Sequence, residues 1–142
     1  MTYRTWLVDA SDARDAAVVA DLHSKLFPRI VFPYPHYGDW WITYDDRGKP
    51  VAFAHCSPTT YYPNSGYFGR VGVLPEARGH GLQLRLTRKA VERGKELGWE
   101  ALYSDTTRVP HSAANFRKAK WIEFVPENPW GKKHTKYWRK DL

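Results

Sequence analysis

A mixed α/β domain, with a mostly antiparallel central sheet flanked by helices in the order β-α-β-β-β-α-β-α-β-β, is what the sequence predicts. Three observations lead there. Short runs of β-branched and aromatic residues alternate with turn residues, longer segments carry apolar side chains at helical spacing, and three strand-like runs follow one another with no helix between them. A length of 142 residues suits one domain, residues 1–142, with one site to look for.

Thr5-Trp6-Leu7-Val8 reads as the first strand, and Ser11 or Asp12 offers an N-cap for a helix through Phe27 with Ala17, Val18, Ala20, Leu22 and Leu26 apolar. Pro28, Pro33 and Pro35 stop it, so Phe27 to Asp39 is an aromatic, proline-rich loop whose apolar tip needs something to cover. Trp40 to Tyr44 and Val51 to Cys56 flank the polar turn Asp45 to Pro50 as a hairpin. After the loop Ser57 to Ser65, Gly66 to Val73 makes the third consecutive strand, its glycines pointing to a bulge or a close approach.

Leu82 to Leu97 follows as a helix, with Leu82, Leu86, Ala90 and Leu97 near one face and Gly98 as its stop. Ala101 to Ser104 reads as a buried strand and His111 to Lys120 as a short helix. Ile122 to Val125 and Thr135 to Trp138 then close the chain as a hairpin around the loop Pro126 to His134.

Composition narrows the class. An apolar fraction of 42% with 26% charged residues excludes a disordered chain. One cysteine, Cys56, permits no internal disulfide, and no Cys/His spacing resembles a metal site. Met1 to Ala10 holds no apolar leader, and no apolar run approaches the roughly 20 residues that cross a bilayer. A soluble, cytoplasmic protein without a membrane partner is expected. Charge is lopsided: Met1 to Ala77 has 7 basic and 8 acidic side chains, whereas Arg78 to Leu142 has 15 and 7, a net +8. Such a field attracts anions, either a phosphorylated cofactor or a nucleic acid.

The most informative stretch is Val73-Leu74-Pro75-Glu76-Ala77-Arg78-Gly79-His80-Gly81-Leu82, which runs from a strand directly into a helix. A helix start presents unpaired N–H groups and the positive end of the helix dipole, glycines let a pyrophosphate approach the backbone, and Arg78 adds charge. Neither a Rossmann Gly-x-Gly-x-x-Gly with its later acidic residue nor a Gly-Lys-Ser/Thr loop is present. The stretch resembles the Val-x-Pro-x-x-Arg-Gly-x-Gly signature of the Gcn5-related N-acetyltransferase (GNAT) superfamily, and the order of elements matches that fold over nearly the whole chain.

The resemblance implies an N-acetyltransferase using acetyl-CoA or another acyl-CoA. The backbones of Val71, Gly72 and Val73 would pair with the pantetheine arm, and the amides of Gly79, His80, Gly81, Leu82 and Gln83 would receive the pyrophosphate. Gln83 departs from the family's Gly or Ala, and its longer side chain is expected to point outward. Ser112-Ala113-Ala114-Asn115-Phe116-Arg117-Lys118-Ala119-Lys120-Trp121 resembles the second motif, with Ser112 and Asn115 as candidate cofactor contacts. The proton-donating Tyr of relatives falls on Phe116 and a usual Gly on Lys120. The Glu often found on the family's fourth strand is missing too, which leaves His55, Asp105 and Tyr103 as candidate catalytic groups.

By the same resemblance, the aromatic loop places Tyr34, His36, Tyr37 and Trp40 as candidate acceptor contacts, for a small-molecule or peptide amine. Trp130 to Lys140 interleaves bases with aromatics, which suits either a single-stranded nucleic-acid surface or an edge strand guarded by lysines. It also looks like the tail of short phage and prophage GNAT-like proteins. A nucleic-acid-directed member of the fold, a CoA-binding partner without turnover, and a dimer all stay open at this stage.

Overall fold

The computed structural model describes residues 2–32 and 37–142. Seven strands form one sheet in the order β1-β2-β3-β4-β5-β7-β6. They are β1 Arg4–Leu7, β2 Asp39–Tyr44, β3 Pro50–Pro58, β4 Ser65–Val73, β5 Ala101–Thr107, β6 Ile122–Phe124 and β7 Thr135–Asp141. The helices are α1 Ala13–Leu26, α2 Leu82–Glu96 and α3 Pro110–Lys118, with a 3-10 turn at Pro75–Ala77. All strand pairs are antiparallel except β4 with β5.

Period-2 alternation divides the core between the two faces of the sheet. On one face Trp40, Ile42 and Phe53 pack with Val19 and Leu22 of α1. On the other Trp41, Ala52, Ala54, Cys56 and Phe68 pack with Leu86 and Ala90 of α2 and Phe116 of α3. Asp12 caps α1 by accepting from the Arg14 N–H at 2.8 Å. At the end of α3, Lys120 takes a left-handed φ of 64°, with Trp121 N–H bonded to the Phe116 carbonyl and Lys120 N–H to that of Arg117. That closure favours glycine, the residue that the resemblance leads one to expect where this chain has Lys120.

Two details of β4 prepare the site. His55 pairs with Gly69 and Phe53 with Gly72, so β4 carries one extra residue, and Arg70 sits in that bulge at φ 54°. Its parallel pairing with β5 covers only Ser65, Gly66 and Tyr67, after which the two strands diverge.

The C-terminal stretch differs from expectation. β7 is not the edge of the sheet, because it lies between β5 and β6. Nor does it offer a stacking surface: Trp138 is 0% exposed and Tyr137 is buried. Trp130 packs against Tyr61 and Tyr137. The adjacent Tyr137 and Trp138 fill the two faces of β7, while Lys132 and Lys133 of the preceding loop and Lys136 of the strand stay exposed. Among the described residues no helix is long and apolar enough to cross a membrane, and no cluster of three His, Cys, Asp or Glu side chains could hold a metal.

Candidate active site

Where β4 leaves β5 a cleft of about 970 Å³ opens, walled by both strands, the start of α2, α3 and the end of α1. Ser104 of β5 donates its hydroxyl proton to the Phe68 carbonyl at the point of divergence. Beyond it the β5-facing backbone groups of Gly69 to Val73 have no strand partner. At the far end the first intrahelical bond of α2 runs from Arg85 N–H to the Gly81 carbonyl. The amides of Gly79, His80, Gly81, Leu82, Gln83 and Leu84 therefore have no backbone acceptor among the described residues. No side chain caps them and no acid lies in the first turn, so the positive end of α2 is uncompensated. Gly79 and Gly81 have φ of 82° and 70°, and a Cβ on either would meet only open space.

Of the expected cofactor residues, Val71, Gly72, Val73, Arg78, Gly79, Gly81, Leu82, Gln83, Ser112 and Asn115 all line the cleft. The His80 side chain turns away and packs its ring against Tyr3 at 5.3 Å. Arg78 is tethered through Nε to the Val73 carbonyl at 3.2 Å. Gln83 does not point outward as expected. Its Nε2 is buried, lacks a partner among the described residues and belongs to a cleft-lining side chain.

The three candidate catalytic groups separate. Asp105 lines the cleft, and its Oδ2 accepts from the Tyr67 hydroxyl and from Trp130 Nε1 at 2.9 Å. Its Oδ1 accepts no hydrogen bond among the described residues. Burial, reinforced by the Asp105 charge, pushes the Tyr67 hydroxyl far above its ordinary range, so it stays protonated and donates. His55 is not at the cleft. It lies on the α1 face with its ring 4.1 Å from Trp40 and its Nε2 donating to the Tyr37 carbonyl at 2.6 Å. Tyr103 is likewise withdrawn, buried and stacked on Tyr62 at 4.0 Å.

Of the expected acceptor contacts, Tyr34 and His36 lie outside the described residues. Trp40 is core, stacked with Phe32 and Phe53, and cannot reach a ligand. Tyr37 is exposed and donates its hydroxyl to the Pro58 carbonyl at 3.3 Å, away from the cleft wall. The loop instead covers the cleft through Phe27 and Ile30. Phe116 lines the cleft as a ring without a hydroxyl, packed on Trp121 and Trp138.

Sequence reasoning missed Arg70, Tyr67 and Trp130, although the glycines of β4 did signal the bulge. Arg70 donates from one nitrogen, Nη1, to His23 Nε2 at 2.8 Å and to the Val31 carbonyl at 3.0 Å. His23 accepts and is therefore neutral at that nitrogen, and burial with the Arg70 charge holds its pKa below the ordinary 6.5. His55 is lowered too, chiefly by burial. Because both favour the neutral form in the fold, stability is full above about pH 6.5 and falls as pH drops through the folded values. Melting temperature is expected to decline from about pH 6.5 towards 5, and His23→Gln should flatten that part of the curve in calorimetric scans.

No curated protein matches the chain. Solved structures share the fold throughout: an IAA acetyltransferase from Bacillus cereus is similar with a TM-score of 0.79 and 16% identity, covering 99% of this chain and 100% of that one. A Bacillus subtilis acetyltransferase in complex with CoA gives 0.76 at 15% identity, with 99% of each chain covered. A GNAT-family acetyltransferase from Staphylococcus aureus gives 0.74 at 11%, covering 98% and 99%. The model of the acetyltransferase (GNAT) family matches residues 5–119. The cleft, the glycine-opened helix and this match agree, and the chain belongs to the GNAT acetyltransferases, enzymes that use acetyl-CoA.

Proposed function

We propose that this enzyme transfers an acetyl group from acetyl-CoA to an amine by direct attack in the β4–β5 cleft. The observation that carries the reading is the run of six unpaired amides, Gly79 to Leu84, at one end of a cleft whose wall is the unpaired edge of β4. Those amides, with Arg78 and the orphaned Gln83 amide nitrogen, fit a pyrophosphate. The backbone of Val71, Gly72 and Val73 fits a pantetheine arm bound like an added strand, and Ser112 and Asn115 border the same space. Bound there, acetyl-CoA supplies a thioester carbonyl open to nucleophilic attack.

Direct attack is favoured because the described residues offer no activated nucleophile. Cys56 is buried in the core, and burial pushes its thiol well up from the ordinary range. Among the described residues no cleft-lining hydroxyl is hydrogen-bonded to a histidine. Asp105, fixed by Tyr67 and Trp130, keeps Oδ1 to accept the proton of the incoming amine. Holding amine and thioester together supplies much of the remaining rate.

Isothermal titration with acetyl-CoA, followed by thiol-release assays over a panel of amines, tests the reading; absence of cofactor binding would overturn it. Gln83→Ala gives a sharper check. It should weaken acetyl-CoA binding about tenfold, the worth of a hydrogen bond to a charged group, while the unliganded protein melts no lower because a buried unsatisfied donor is gone. Titration and melting, run on the same preparation, measure both.

A further inference from the structure

We propose that the acceptor is a free α-amino acid, its carboxylate held by Arg70 and its amino group by Asp105. The proposal rests on the acetyl-transfer reading above and adds the class of acceptor. Arg70 and Asp105 line one cleft. Tyr67 and Tyr103 form the last parallel pair, so Arg70 lies three residues beyond it on β4 and Asp105 two residues beyond it on β5, on the two walls of the gap that opens there. Opposite charges thus flank the mouth of the gap, yet Arg70 makes no ion pair with any carboxylate among the described residues. Tyr67, three residues before Arg70 on β4, donates its hydroxyl to Asp105 and so links the two walls.

Each charge is held with its ligand-facing atoms unused. Among the described residues the Arg70 guanidinium bonds only through Nη1, to His23 and Val31, so Nε and Nη2 keep a two-pronged edge of the kind that grips a carboxylate. Both acceptors of Nη1 are neutral and leave the guanidinium charge uncompensated. The left-handed φ of 54° at Arg70 is unfavourable for a residue with a side chain, and such strain clusters where a fold aims a group at a ligand. Asp105 mirrors this, with Oδ2 committed to Tyr67 and Trp130 and Oδ1 open. A simple amine would satisfy Asp105 and leave Arg70 unanswered, and a peptide's internal residues carry no carboxylate beside the amine. A free amino acid presents both charges on the same Cα, the ammonium nitrogen three bonds from the carboxylate oxygens.

In the reaction, the neutral amine nitrogen forms the new bond to the acetyl carbon as the carbon–sulfur bond of acetyl-CoA breaks. The ammonium gives a first proton through Asp105 to solvent, the attacking nitrogen loses a second by the same route, and the departing thiolate takes one proton from solvent, so the products are an N-acetyl amino acid and CoA thiol. The carboxylate on Arg70 takes no part in bond making; Arg70 determines specificity.

The test compares the twenty common L-amino acids with their α-amides as acceptors, reading thiol release at saturating acetyl-CoA for wild type, Arg70→Gln and Arg70→Lys. At least one free acid should be used with kcat/KM about tenfold or more above its amide. Arg70→Gln should erase that preference by raising KM for the acid more than for the amide, and Arg70→Lys should restore part of it. Amides used as well as acids, or a preference that survives Arg70→Gln with native circular dichroism, would overturn the proposal. Binding of acetyl-CoA with turnover of none of the free amino acids would also overturn it while leaving the cofactor cleft in place, whereas failure to bind acetyl-CoA would remove the underlying acetyl-transfer reading itself.

Discussion

Gly81→Val should yield a folded protein that binds acetyl-CoA at least about tenfold more weakly than wild type, for two separable reasons. Gly81 is the N-cap of α2 in the left-handed region, φ 70° and ψ 21°, which a β-branched residue enters at a cost of about 1–3 kcal/mol. Part of that cost is met by rotating the cap, and rotation disperses the amides that converge on the cleft. The second reason is steric. A Cβ at Gly81 touches nothing within 4 Å of the protein, so the fold accommodates it, but the open space it takes lies among the unpaired amides where a pyrophosphate would sit. Calorimetric titration beside a thermal melt separates the two contributions. An unchanged affinity in a folded variant would show that the α2 start is not where the cofactor binds.

This part of the site was legible because its chemistry is local. Val73 to Leu82 contains the strand end, the turn, the two glycines and the helix start in ten consecutive residues, so spacing alone dictates the geometry. The order of elements was legible for the same reason, with strand ends displaced by one or two residues in the other strands and most where β5 and β7 run on to Thr107 and Asp141. What the sequence hid is what the sheet brings together from afar. Tyr67 meets Asp105 across 38 residues and His23 meets Arg70 across 47. Neither pairing has a local signal. Strand parity was the other obstacle: His55 and Trp40 are oriented by which face α1 covers, and only the assembled sheet shows that this face places them beneath the loop end at Tyr37 rather than in the cleft. Gln83 was misjudged because helix spacing gives a direction relative to the helix, whereas its buried nitrogen depends on α2 lying across β3, β4 and β5.

Trp138→Ala should cost about 3–5 kcal/mol of stability, a large share of the ~5–15 kcal/mol that a domain of this size possesses. The indole is fully buried between α3 and the sheet, stacked on Phe116 at 5.7 Å, with Arg117 over its ring at 5.1 Å and Nε1 donating to Thr106 Oγ1 at 3.0 Å. Truncation removes the stacking, opens a cavity beside the cleft-lining Phe116 and leaves Thr106 without its donor. The melting temperature should fall by about 10–17 °C, and the denaturation midpoint should drop with an unchanged m-value if the variant still unfolds in two states. A stacking platform for single-stranded nucleic acid would respond differently: the same substitution would weaken oligonucleotide binding by ~1–3 kcal/mol per base and scarcely touch the melt. Because no face of Trp138 reaches solvent, the loss is expected in stability, and a variant with wild-type melting would mean that β7 does not complete the core in the way its register with β5 and β6 describes.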